Sequence, residues 1–344
     1  MADTGQRRPA RRPRRTPDRR RRSAVVVALV LAIVTALSGC GVTRGGDDPD
    51  NRRFRMMIPN SPGGGYDLTG RAAAQVLEED GLTGRFEITN VIGASGTVAM
   101  QRLLNERGAD DLMMLMGLGV VGATYTNDSR ARVSDATPIA KLVEEQEGLL
   151  VPADSPFETV DDLVEAWKAD PRSVTVGGGS SPGGPDHLFP MQLAQELGID
   201  PNDVNYIAYD GGGPLTTALL GEKIQVGTSG LGEFQGQIDD GSLRVLAVSG
   251  DDRLEGIDAP TLTESGIGLV FTNWRGMLAP PGIDDETRAL LTELLTEMHG
   301  TKEWREALKR NGWIDAFATG EDFETFLTEQ DERVESTLKE LGLS

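Results

Sequence analysis

A chain of 344 residues with a net charge of −20 and a single cysteine is long enough for two domains of ordinary size. Residues 1–40 contribute +8 to that charge, ten arginines against Asp3 and Asp18, which leaves −28 on the remainder. No basic stripe follows residue 40, so nucleic acid is excluded as a partner. One cysteine and two histidines supply neither an intramolecular disulfide nor a transition-metal ligand set, so no metal and no cofactor are expected.

The arginine-rich start leads into an uncharged run from Ala24 to Ser38, too short for a comfortable transmembrane helix, and then into Leu37-Ser38-Gly39-Cys40. A basic segment, a short apolar run and small residues before a cleavage point predict a signal peptide over residues 1–39. The segment resembles the bacterial lipobox, which makes Cys40 the lipid-carrying first residue of the mature protein and the lipid bilayer a partner. Residues 40–50 are small, polar and without periodicity, and read as a lipidated tether.

From Phe54 onward apolar runs alternate with amphipathic stretches: FRMMI then DLTGRAAAQVLEED, FEITNVI then GTVAMQRLLNERG, and DLMMLMG followed by a loop. The rhythm restarts after Pro156 with TVDDLVEAWKAD, SVTVGGG, PDHLFPMQLAQELG, VNYIAYD, PLTTALLGEKIQVGTSG and LRVLAVSG. Such alternation predicts two α/β units on largely parallel sheets. The last stretch, DDETRALLTELLTEMHG, EWREALKRNG and GEDFETFLTEQDERVESTLKELG, reads as consecutive helices packed onto a finished sheet, each with an acidic start and a glycine stop.

Four glycine-rich loops stand at predicted strand ends, where ligands sit in open α/β sheets. The first, IPNSPGGGYD, offers Asn60, Ser61, Gly63, Gly64, Gly65 and Tyr66 ahead of a helix starting near Asp67. Glycines admit positive φ and close ligand approach, and a helix start points free N–H groups at an anion. Asp67 and Asp186 are read first as helix caps, since acids complement the dipole there. The second loop, NVIGASG, carries Ser95; the third, GGGSSPGGPDHL, carries Gly179, Ser180, Ser181 and His187; the fourth, YDGGGPLTTALLG, carries Tyr209. Trp274, in FTNWRGMLAPPG, is a candidate cleft wall.

A nucleotide P-loop is excluded because GxxxxGK[ST] is absent. GLGVVGA (residues 117–123) matches GxGxxG/A, but the acid that a dinucleotide site requires falls at Asp135 in a turn-like context, so that reading is set aside. No GxSxG nucleophile elbow supports a serine hydrolase. No catalytic residue is therefore assigned, although a secreted hydrolase using His187 and a loop serine stands as the alternative.

Taken together the loops resemble the solute receptors of the tripartite tricarboxylate transporter system, often called Bug receptors. IPNSPGGGYDLTGR, NVIGASGTVAM, GGGSSPGGPDHL, YDGGGPLTTALLGEKI and WRGMLAPPGI follow that family's elements in order from about Arg53 to the C-terminus. The resemblance implies a bilobed type II periplasmic-binding-protein fold, two α/β domains joined by two crossover strands. It places lobe 1 at residues 51–147 and 273–344 and lobe 2 at 148–272. It also implies a monomeric extracytoplasmic receptor that closes on a small organic carboxylate and delivers it to the permease subunits of a tripartite transporter. A ligand-presenting sensory subunit would use the same surface. The chain departs from the family pattern at Asn60, Ile92, Ser95 and Gly184; the polar groups of Asn60 and Ser95 suit an oxygen-rich di- or tricarboxylate such as citrate.

Overall fold

The computed structural model describes Ala2 and residues 52 to 343, and from residue 52 onward the chain belongs to one compact unit. The predicted signal peptide, Cys40 and the tether lie outside the described residues. The first part alternates as expected: β1 (Phe54–Ile58), α1 (Gly65–Glu79), β2 (Phe86–Asn90), α2 (Thr97–Asn105) and β3 (Leu112–Gly117). β1 pairs in parallel with both β2 and β3. All six residues of β3 are buried, the pattern of a strand covered on both faces.

The chain then departs from expectation. Where a loop was expected after β3, α3 (Leu118–Thr126) begins at once. This helix buries residues on every side and so shows no polar stripe, and its glycines and β-branched residues hide it further. β4 (Thr137–Pro152) follows, sixteen residues long. Its central segment is EEQE, and Glu145, Gln146 and Glu147 are buried.

The second rhythm is α4 (Val160–Ala169), β5 (Thr175–Gly178), α5 (Pro185–Glu196), β6 (Asn205–Ala208), α6 (Gly212–Leu220), β7 (Val226–Gly230), α7 (Gln235–Asp239) and β8 (Leu243–Val248). The chain closes with β9 (Thr272–Ala279), α8 (Asp285–Gly300), α9 (Lys302–Asn311), β10 (Ile314–Thr319) and α10 (Gly320–Glu340). β10 corrects the all-helical reading of the C-terminus: this short, half-exposed strand pairs antiparallel with β4.

Strand order is β2-β1-β3-β9-β4-β7-β5-β6, with β8 and β10 also on β4. β4 belongs to two sheets. Its residues up to Gln146 pair with β9, and those from Glu147 onward pair with β7. Pairing is parallel within β1–β3 and β5–β7 but antiparallel wherever β4 or β9 takes part, so the sheets are mixed rather than largely parallel. The return from the second sheet runs through residues 249–271, mostly irregular, and is fastened to β4 at Ser249. The Ser249 hydroxyl accepts from Glu147 N–H at 2.9 Å and donates to Phe271 O at 2.6 Å. Among the described residues no helix is long and apolar enough to cross a membrane.

The elements around the two sheets meet where α3 packs on the loop ahead of α5. A Cβ at Gly122 would overlap the Gly183 carbonyl. Gly122→Ala gains about 1 kcal/mol of helix propensity but overpacks a backbone contact at a cost of about 1–3 kcal/mol. A net loss of stability is expected, read as a lower urea midpoint; an unchanged or higher midpoint contradicts this packing.

Candidate functional site

Two turns of the same sequence open the two helices that face each other. Ser61-Pro62-Gly63-Gly64 precedes α1 and Ser181-Pro182-Gly183-Gly184 precedes α5. In each, the second glycine's N–H returns to the serine carbonyl, Gly64 to Ser61 at 3.3 Å and Gly184 to Ser181 at 2.8 Å. In each, the first glycine has φ +87°, a conformation that costs other residues but not glycine. The side chain four residues on accepts that glycine's N–H: Asp67 Oδ2 from Gly63 at 2.9 Å, and His187 Nδ1 from Gly183 at 3.3 Å.

This geometry settles two candidate residues. Asp67 is buried and, against the pull of burial, is held below the usual carboxylate range by Arg71, Asn90 and the Gly63 N–H. His187 packs edge-on against Tyr206 and burial lowers it to about 4, so it is a neutral acceptor with its proton on Nε2. Among the described hydrogen bonds none joins His187 to Ser180 or Ser181. Ser180 Oγ instead accepts from Asp186 N–H at 3.1 Å, supporting a helix whose N-cap is a glycine without a side chain to offer.

Between the turns lies a cavity of about 520 Å³. Of the predicted residues, Asn60, Ser61, Gly63, Gly64, Gly65, Tyr66, Ser95, Gly179, Ser180, Ser181 and Tyr209 line it, whereas Asp67, His187 and Trp274 do not. Trp274 stands on the wrong face of its strand, because successive strand residues point to opposite sides. Its Nε1 donates to Gln330 at 3.2 Å and its ring meets Phe326 edge-on. Its neighbour Arg275 reaches the cavity instead.

The Gly93–Gly96 loop also lines the cavity through Gly93, Ala94 and Ser95. All four of its residues have positive φ, including Ala94 at 44° and Ser95 at 54°, where non-glycine backbone is strained by about 1–3 kcal/mol. The turn is closed by the Gly96 N–H, which donates to the Gly93 carbonyl at 3.1 Å. Tyr66 closes the inner end. Its phenol oxygen accepts from Val120 N–H at 3.3 Å, and burial pushes it up to about 12 despite the nearby Arg275.

Sequence reasoning missed the charged floor. Arg275, itself buried, is ion-paired with Glu145. Glu233 accepts from Gly212 N–H at 2.9 Å with Gly65 N–H nearby, and burial pushes its carboxyl up. Burial and the proximity of Glu233 push Asp186 up to about 7, against the Ser229 hydroxyl and the Gly179 N–H. Glu147 is fully buried with no partner on either carboxylate oxygen; burial, then Asp186 and Glu145, hold it well above the usual range. Neither Glu145 nor Glu147 carried a sequence signal, since only the path of β4 brings them inside. Among the described residues no group of three or more acidic, histidine or cysteine side chains is arranged to hold a metal ion.

Three comparisons bear on the chain. A model of the tripartite tricarboxylate transporter family receptor matches residues 71–343. Protein BugT of Bordetella pertussis is 25% identical over 320 residues, 91% of this chain and 96% of its own length. A TctC solute-binding protein from Polaromonas, 26% identical, superposes with a TM-score of 0.65 over 84% of this chain and 98% of that one. An R. palustris protein solved with adipate superposes with a TM-score of 0.76 at 22% identity, covering 86% of this chain and 99% of that one.

Glu147 also yields a pH test. Its folded-state proton affinity exceeds the ordinary 4.5, so above that pH the folded protein retains a proton that the unfolded chain releases. The stability that retention represents is complete below the ordinary value and is lost as pH rises. Glu147→Gln carries no such penalty. Its stability relative to wild type should therefore increase between about pH 4.5 and pH 8 in denaturant titrations. A pH-independent difference would show that Glu147 is ionised in the folded protein.

Proposed function

The chain belongs to the tripartite tricarboxylate transporter receptor family, and from that premise we propose that it is an extracytoplasmic receptor, held to the membrane by a lipid on Cys40, that captures a small organic carboxylate and delivers it to permease subunits. The observation that carries this reading is the pairing of two identical Ser-Pro-Gly-Gly turns at facing helix starts, with the Gly93–Gly96 turn beside them. Helix N-termini and concave backbone turns bind anions without needing a basic side chain. A volume near 520 Å³ suits a small metabolite, and one of the similar structures was solved with adipate.

In this reading Asn60, Ser61, Gly63 to Tyr66, Ser95, Gly179 to Ser181 and Tyr209 touch the ligand, while Asp67 and His187 hold the two turns in shape. The lobes divide at residues 148 and 273, beside the point where β4 changes partners. Ligand contacts to both lobes at once favour the closed state. Di- and tricarboxylates are the class to test first. Citrate is the member that the acidic floor disfavours most, because each added negative charge meets Asp186 and Glu233 in a site of low dielectric.

Thermal unfolding of the protein against citrate, malate, adipate, acidic and amino acids, aromatic acids and sugars provides the test. One carboxylate group should raise the stability by about 2.7 kcal/mol at a hundredfold excess over its Kd, with sugars silent. Stabilisation by a neutral compound alone would overturn the carboxylate reading.

A further inference from the structure

The two walls of the cavity differ in charge. Residues 59–66 and 92–95, carried by loops of the first sheet, present no ionisable acid or base except the phenol of Tyr66. The loops of the second sheet present Asp186, Asp210 and Glu233 and no basic residue. The one basic side chain among the lining residues, Arg275, is already paired with Glu145. Behind Asp186 lies Glu147, fully buried and with both carboxylate oxygens unpartnered.

Glu233 sharpens the asymmetry. Its carboxylate accepts from Gly212 N–H at 2.9 Å and lies close to Gly65 N–H, these being the first residues of α6 and α1. These helix starts are donors that a ligand carboxylate would otherwise use, and neither helix has a side-chain cap from its own N-cap glycine. The protein therefore fills one anion position with a carboxylate of its own. A ligand carboxylate is left the first wall, and the ligand's other end meets the Asp186 and Glu233 carboxyls, which burial pushes toward the neutral form and a cation would draw back to the ionised one.

Resting on the carboxylate-receptor reading, we propose that the ligand is amphoteric, a carboxylate at one end and a protonated amine at the other, and that Glu233 and Asp186 select for the amine and reject a second carboxylate. An ammonium group supplies the donors that Asp186 and Glu233 can accept, and its charge offsets the surplus of acids on that wall. These acids are not disposed as a metal-ligand set among the described residues, and a ligand ammonium is the complement that favours the ionised form of both against the push of burial. Specificity then arises by repulsion as well as attraction, since a diacid of the same length fits the volume but not the charge.

Isothermal titration of the protein with succinate, glutarate and adipate against 4-aminobutanoate, 5-aminopentanoate and 6-aminohexanoate tests this. The amino acids are expected to bind at least about tenfold more tightly than the diacids of matching length. Glu233→Gln keeps an oxygen for the Gly212 N–H while removing the charge, and should shift the ratio at least about tenfold toward the diacids. Asp186→Asn should shift it the same way and serves as the second variant if Glu233→Gln lowers the unfolding temperature. Tighter binding of any diacid or of citrate to the wild type overturns the inference and leaves the carboxylate reading standing, as does an unchanged ratio in both variants. Silence toward every acid, amino or not, overturns both.

Discussion

A buried guanidinium has to find its counter-charge inside the protein, and in this fold that requirement joins Arg275 to Glu145. The two residues lie on β9 and β4, neighbouring antiparallel strands, so the pair pins together the two strands at the centre of the first sheet. The same guanidinium sits so close to Gly65 that a Cβ there would collide with it, which is why the head of α1 can approach the floor. Its field also reaches Glu233, in the short turn that follows β7 of the second sheet. One charge thus links the strand common to both sheets, the helix after the first Ser-Pro-Gly-Gly turn and the opposite wall of the cavity. Without it Glu145 would lose its ion pair, and the buried carboxyls of Glu147 and Glu233, already pushed toward the neutral form, would lose the cation that opposes that push.

The paired Ser-Pro-Gly-Gly turns show how one local solution serves two chemical settings. Both need an acceptor for the N–H of a glycine in the left-handed region, and both find it four residues on. At Gly63 the acceptor is an ionised Asp67, sustained by Arg71 and Asn90. At Gly183 it is the neutral ring of His187, buried where a charge would be costly. The first turn can afford an anion because its surroundings supply donors. The second turn already lies beside Asp186 and Glu147, so a neutral acceptor avoids adding a further negative charge.

The alternation of apolar runs and amphipathic stretches was legible because it is local: a strand buried on both faces reads as a continuous apolar run, and a helix on a sheet reads as a stripe. The glycine loops were legible for a related reason, since positive φ and close approach demand glycine whatever lies elsewhere. Residues such as Gly63, Ser95 and Ser180 could therefore be placed at the cavity from motifs alone. α3 escaped because a helix buried all round has no period. β10 escaped because Ile314–Thr319 lies between two helix patterns and its half-exposed residues show no clean alternation of apolar and polar positions.

By itself, then, the sequence determined the α/β class, the strand ends that carry the glycine-rich loops and the family to which those loops belong. All of these follow from contacts within a few residues or from motifs that the backbone requires. Tertiary structure decided which face of β9 turns inward, so that Arg275 rather than Trp274 meets the cavity. It also drew the EEQE run of β4 into the interior and gathered Glu145, Glu147, Asp186 and Glu233 from distant segments around a single cation. Electrostatic partnership depends on distance in space and on burial, and neither quantity is written in the order of residues along the chain.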